Sequence, residues 1–313
     1  MRLTCISVVK DESDFIERFI RINGQVIDDF YIVDDNSTDE TVNILHKLAN
    51  EGYKITIKHV IDRRMRIQMR QADILNQTKS MIFSDLTLAP SHIIPLDADE
   101  LIFLDRESLE KELKKIKENE HGRMRWTTFV PTNGSLSSNK LLKECFQPLA
   151  AEKKDVFKVI IPGTASRDSL LSTGSHHLHS NTKPINLDIE LCHFPIRSIN
   201  QLIAKALTAA NKMALKRDRK PDDSYHILNI ADQISARGYT IKESQLQQYA
   251  LSYLGDERPR EFKIMNNFLN YPETTPKYWQ GDINVIAILN TFTLELIEEI
   301  NELRGASPDK PNH

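Results

Sequence analysis

The period of the apolar positions changes along this chain. Leu3 to Val9 is a short β-branched run bounded by charge, and from Ser13 the residues Phe15, Ile16, Phe19 and Ile20 recur at helical spacing. The alternation then repeats. Phe30-Tyr31-Ile32-Val33 completes a strand that opens at Asp29, and Thr38 offers a helix cap ahead of Val42, Leu45 and Leu48. A third strand is predicted at Lys54 to Val60 and a helix between Arg66 and Phe83. A fourth strand at His92 to Leu96 runs directly into Asp97-Ala98-Asp99-Glu100. Such alternation predicts a parallel sheet covered by helices. After a charged helix over Ser108 to Glu118, strand-like pieces remain at Trp126 to Val130 and Val156 to Ile161, so the sheet is expected to finish in mixed order. From Ile199 the strand signal fades. Leu202, Ile203, Ala206 and Leu207, then Leu246, Tyr249, Ala250 and Tyr253, then Ile286 to Leu303, carry helical spacing. The expected organisation is an α/β unit over residues 1–198, a helical region over 199–304 and a frayed tail over 305–313.

Composition narrows the picture. The 313 residues carry 41 Lys plus Arg against 44 Asp plus Glu, a balance that disfavours nucleic acid as a partner, and the 40% apolar content suffices for a core without disulfides. The three cysteines, Cys5, Cys145 and Cys192, are widely spaced, which fits a reducing compartment. No signal-peptide pattern or membrane-length apolar run occurs, so a cytoplasmic protein is expected, with at most peripheral contact at the inner face of a membrane.

Missing motifs remove several chemistries. There is no Gly-x-Gly, no Gly-x-x-x-x-Gly-Lys, no His-Glu-x-x-His and no Gly-x-Ser-x-Gly. A bound nucleotide would therefore need something other than a Gly-rich loop at its phosphates, and a divalent cation held by carboxylates is the obvious substitute. Asp97-Ala98-Asp99, the only Asp-x-Asp in the chain, could hold it, because alternate residues of an extended segment point to one side. The pair ends a predicted parallel strand, where open α/β sheets bind ligands. The local alternative is a turn whose aspartates cap the next helix. A second acidic stretch, Asp34-Asp35-Asn36-Ser37-Thr38-Asp39, also follows a strand. Capping explains Ser37, Thr38 and Asp39, whereas the adjacent carboxylates Asp34 and Asp35 repel each other and need a donor or cation nearby.

Several motifs in order resemble the family 2-like, GT-A fold nucleotide-sugar glycosyltransferases of bacterial polysaccharide and glycoconjugate synthesis. Val8-Val9-Lys10-Asp11-Glu12 is similar to the family's first strand and its Asn-Glu-like ending. Tyr31 to Thr41 is similar to its Asp-Asp-x-Ser-x-Asp-x-Thr segment, and Pro95 to Glu100 to its Asp-x-Asp motif. Gly174-Ser175-His176-His177 and His193-Phe194-Pro195-Ile196-Arg197-Ser198 look like later signatures of one branch. The resemblance spans about residues 3 to 205. It implies a Rossmann-like mixed sheet flanked by helices and transfer of one sugar from a nucleotide-sugar, most often a UDP-sugar, to a hydroxyl of a glycan or glycoconjugate. Carried over residue by residue, it implies Lys10, Glu12, Asp34, Asp35 and Asp97 at the nucleotide-sugar, and Asp97, Asp99 and His193 on Mn2+ or Mg2+. Arg66 and Arg70, with Arg63, fall on one helical face and could meet the diphosphate, the alternative being a solvated basic face. The Glu-Asp pair that carries the base in many members is absent. Asp168 and His177 are the candidates by position, with Glu100 and Glu144 behind them. The Gln-x-x-Arg-Trp signature of processive synthases is also missing, which favours single transfer, and the transfer is expected to invert. The competing readings are a nucleotidyltransferase on the same fold and a non-catalytic binding or scaffold protein.

Overall fold

The computed structural model describes residues 1–60, 71–85, 87–152, 155–165, 167–215, 225–254, 261–279, 281, 283–291, 293–294 and 297. Its strands are β1 (Leu3–Val9), β2 (Asp29–Asp34), β3 (Ile55–His59), β4 (His92–Pro95), β5 (Glu100–Ile102), β6 (Glu120–Pro131), β7 (Phe146–Pro148), β8 (Phe157–Pro162), β9 (Leu170–Leu171), β10 (Leu178–His179) and β11 (Lys183–His193). Its helices are α1 (Ile16–Asn23), α2 (Thr41–Asn50), α3 (Gln71–Ser84), α4 (Arg106–Leu113), α5 (Leu142–Cys145), α6 (Ile199–Leu215), α7 (Tyr225–Ala236), α8 (Glu243–Tyr253) and α9 (Asn266–Leu269).

Nine strands form the main sheet in the order β3-β2-β1-β4-β8-β6-β11-β5, with β7 added to β6. The first four are parallel, because each is an apolar run joined to the next by a crossover segment. From β8 the order is mixed: β8 is antiparallel to β4 and β6, β11 is parallel to β6, and β5 is antiparallel to β11. The expected α/β class, a mixed sheet flanked by helices, is therefore present. β6 is much longer than the Trp126 to Val130 run suggests. Its first half, Glu120 to Arg125, is too polar to signal a strand, and pairing on both edges, with β8 and β11, imposes one. β1 lies between β2 and β4, so the strand order reverses there, and ligand crevices form outside the carboxyl ends of strands at such a point.

The main core joins β1, α1, β2 and α2 to residues from far along the chain, including Met265, Phe268 and Trp279. A second cluster packs α6, α7 and α8 on Val130 and Leu149. Helices α6, α7 and α8, and the helical residues 285–291, lie within the 199–304 region, whereas residues 261–279 form a largely irregular strap. The strap pairs with the β7 edge through Lys263 N–H to the Pro148 carbonyl at 3.0 Å. It then crosses α1, where the buried Glu17 carboxylate accepts the backbone N–H groups of Lys277 and Tyr278 at 2.8 and 2.7 Å. Arg18 anchors it again through Glu273 at 3.1 Å. Among the described residues no helix is long and apolar enough to cross a membrane. The expected tail, 305–313, lies outside the described residues.

Candidate active site

A cavity of about 330 Å³ opens at the carboxyl ends of β1 and β2. Lys10, Asp11 and Glu12 line it from β1 and Asp35 from β2, while α6 faces them with Lys205, Thr208 and Lys212. Ile283 and Ile288, beyond the strap, pack on Ala204 of α6 and close an apolar side.

Adjacent residues of an extended chain point to opposite sides, and this separates the two neighbouring aspartates. Asp35 faces the cavity and pairs with Lys212 at 3.3 Å. Asp34 turns away, accepting the Ser37 N–H at 3.0 Å and facing His59 Nδ1 at 3.1 Å, so its role is to brace the loop. Each carboxylate has the donor or cation that their repulsion demands. Lys10 spans the same loop, donating to the Asp35 and Asn36 carbonyls at 3.0 and 3.1 Å. Asp39 links two elements by accepting Ser13 N–H and Thr41 N–H, both at 2.9 Å. Asp35→Ala is therefore expected to weaken nucleoside-diphosphate binding roughly 10- to 100-fold with little change in stability. Asp39→Ala should instead cost about 1–3 kcal/mol and leave affinity nearly intact. Calorimetric titration beside thermal melts separates the two, and a larger affinity loss in Asp39→Ala would reverse these roles.

Glu12 is bound by Arg197 Nη2 at 2.6 Å, and burial still pushes its carboxyl up to about 8 against that pull. The same guanidinium grips Asp14 through two contacts of 2.8 Å and lies 4.9 Å above the Phe15 ring. Arg197 thereby fixes the loop after β1 to the segment after β11.

Asp97-Ala98-Asp99 is a turn rather than an extended segment, which corrects the geometry expected of it. The Glu100 N–H donates to the Asp97 carbonyl at 3.0 Å, and the Glu100 carboxylate accepts the Asp97 N–H at 2.8 Å. The turn aims the two aspartates at different partners. Asp97 meets Lys158 at 2.6 Å and Gln71 at 2.8 Å. Asp99 meets Lys205 at 3.2 Å, His193 Nε2 at 3.6 Å and Arg197 at 3.9 Å. Burial alone would raise the Asp99 carboxyl, but Lys205, His193 and Arg197 outweigh it and hold it well below the usual range. Glu100 is fully buried and pushed up to about 8 by desolvation, against the pull of Lys158 at 2.9 Å.

Among the described residues no three His, Cys, Asp or Glu side chains converge as a metal cage. Asp99 with His193 is the donor set that suits a divalent cation, since burial keeps this imidazole neutral and its Nε2 points at the carboxylate. Asp97 is directed elsewhere, and Lys205 uses the same Asp99 oxygen that an ion would need.

Beyond His193 lies an aromatic stack. Trp126 of β6 packs on His193 with ring centroids 4.1 Å apart and on His176 at 5.3 Å. His176 Nδ1 is 2.9 Å from the Phe157 carbonyl, so Nδ1 carries the proton and Nε2 the lone pair. Gly174, at φ +69°, is needed there: a Cβ would lie 2.4 Å from His176 Nε2.

His177 points outward and is exposed, and Asp168 is exposed near Lys79, about two turns along α3 from the Gln71 that lines the cavity. Neither reaches the cavity wall. Glu144 caps α5 through the Leu141 N–H at 2.6 Å. Arg63, Arg66 and Arg70 lie outside the described residues.

No protein-family model matches the chain, and neither does any curated protein. Similar solved structures include S. aureus TarS residues 1–349 in complex with UDP, at 13% identity, covering 81% of this chain and 80% of that one with a TM-score of 0.39. Another is the mannosyltransferase PcManGT from Pyrobaculum calidifontis with GDP-Man and Mn2+, at 13% identity, 95% and 80% coverage and a TM-score of 0.38. A third is glucosyl-3-phosphoglycerate synthase from Mycobacterium tuberculosis with Mn2+ and UDP, at 13% identity, 41% and 44% coverage and a TM-score of 0.27.

Sequence reasoning missed Lys158, Lys205, Lys212 and Trp126. Lys205 and Lys212 carried a usable signal, since positions seven apart return to the same helical face beside a run of small residues. Lys158 and Trp126 carried none, because strand pairing alone brings them to the turn.

Proposed function

We propose that the chain is a nucleotide-sugar glycosyltransferase that moves one sugar from a nucleoside-diphosphate donor, UDP-sugar before others, to a hydroxyl of a glycan or glycoconjugate. One observation carries the reading: Asp35 and Glu12 stand at parallel strand ends on one wall of a cavity whose other wall carries Lys205 and Lys212, and Asp99 lies one ion pair away. Such a site offers a carboxylate to a base or ribose and cations to phosphates. Mn2+ or Mg2+, when bound, would sit on Asp99 with His193 and supply charge stabilisation to the leaving diphosphate. The motifs shared with the GT-A glycosyltransferases point the same way.

The turn between the cavity and the Trp126 stack divides the work. Asp35 orients the nucleoside, and Lys158 holds Asp97 and Glu100 so that the turn keeps its shape. Trp126 offers a half-buried ring to an acceptor sugar. In place of Asp168 or His177, the base candidate is His176, which lies in the Trp126 stack behind the turn and not on the cavity wall. Burial lowers its pKa, so the imidazole is neutral near pH 7 and Nε2 can accept the proton of the attacking hydroxyl.

A thermal-shift screen of UDP, GDP, CDP and dTDP with and without Mn2+ tests this. A ligand at about 100 times its dissociation constant adds roughly 2.7 kcal/mol, which is about 5–10 °C for a unit of this size. One nucleotide should produce that rise, larger with metal. A flat response to all four would defeat the reading and favour a scaffold.

A further inference from the structure

Resting on the nucleotide-sugar reading, the geometry points to α6 as a two-lysine phosphate arm: Lys205 and Lys212 pass from Asp99 and Asp35 to the donor's diphosphate, which frees Asp99 for the cation and Asp35 for the nucleoside. Four observations support it. Lys205 and Lys212 lie seven residues apart, two helical turns or about 10 Å along the axis, on one face of α6. Both line the cavity. Each rests on a carboxylate assigned to another ligand, Lys205 on Asp99 Oδ2 at 3.2 Å and Lys212 on Asp35 Oδ2 at 3.3 Å. Both ammonium-bearing side chains keep about a third of their surface exposed, 29% and 32%, so both can turn without unpacking the helix.

The exchange balances charge. A lysine leaving a carboxylate for a diphosphate meets more negative charge; the released Asp99 meets the cation that accompanies the diphosphate, and the released Asp35 accepts hydrogen bonds from the nucleoside. Neither Asp99 nor Asp35 is left unpaired. Lys205 and a divalent cation compete for one oxygen of Asp99, so cation and diphosphate should each raise the other's affinity, as linkage requires. The Pro195 carbonyl, 3.1 Å from Lys205 Nζ, gives the ammonium a second hold on the segment that carries Arg197.

The test is calorimetric titration of Mn2+ alone, inorganic pyrophosphate alone and each of the four nucleoside diphosphates into the wild type, Lys205→Met and Lys212→Met. Lys205→Met should bind Mn2+ alone about tenfold more tightly, because the rival for Asp99 is gone, while Lys212→Met should bind it as the wild type does. Both should bind metal-free pyrophosphate at least about tenfold more weakly. Unchanged or weaker Mn2+ binding by Lys205→Met, or unchanged pyrophosphate binding by both variants, overturns the proposal. Lys212 lies on the cavity side and away from the Asp99 network, so its variant tests the phosphate half even if Lys205→Met fails to fold. If pyrophosphate binding depends on both lysines but no nucleoside diphosphate binds better than pyrophosphate, the lysine arm stands and the nucleotide-sugar reading falls.

Discussion

Asp99→Asn is expected to lower turnover by at least about 100-fold, the usual loss when one charge-stabilising group leaves a preorganised site. The structure adds a second effect. Asp99 is buried among Lys205, His193 and Arg197, so neutralising it leaves cations short of their partner and should cost about 3 kcal/mol of stability as well. Initial rates across a Mn2+ series, paired with thermal melts, separate the two losses. Asp97→Asn should cost less, since removing the Asp97 charge lets the Glu100 carboxyl, 2.9 Å from Lys158, ionise and take its place. A folded Asp99→Asn protein with near wild-type turnover would remove Asp99 from the chemistry.

Arg197→Met is expected to have the largest effect on stability, about 3–5 kcal/mol, seen as a drop of roughly 6–20 °C in melting temperature. Arg197 is the largest fully buried side chain among the described residues, and its loss strands Asp14, whose carboxylate is 2% exposed. Burying an unpaired carboxylate, rather than losing an attraction, is the greater part of that cost. Adding Asp14→Asn should therefore restore part of the stability, giving a coupling that a double-mutant cycle measures. A melting temperature within 2 °C of wild type in Arg197→Met would mean that water reaches Asp14.

The parallel half of the sheet was legible because β1, β2 and β4 are apolar on both faces, which leaves little else for those runs to do. Asp35 was legible for a related reason: a carboxylate one residue past such a strand has few places to point. The backbone at Asp97 and Asp99 was misread. Both were placed on an extended segment, although Glu100, three residues after Asp97, is well placed to accept the Asp97 N–H and fold the segment into a turn. Arg197 was visible only as part of a motif, because its partners Glu12 and Asp14 are nearly two hundred residues away and nothing local marks it as buried. His176 and His177 are adjacent and alike in sequence. Only the left-handed turn at Gly174 and the Phe157 carbonyl decide which of them turns inward.

The cavity draws on both Lys10 and Ile288, and Glu17 secures the strap at Tyr278, so the order of synthesis matters for this protein. Ribosomes add about 5–20 residues per second, and α1 must therefore wait roughly 13–50 s for the backbone that caps its buried carboxylate. Until then Glu17 and Arg18, on the face of α1 that the strap crosses, lack the partners that it supplies. A nascent chain stalled before residue 277 would present that face to chaperones, and long-range closure of this kind makes the last step of folding slow.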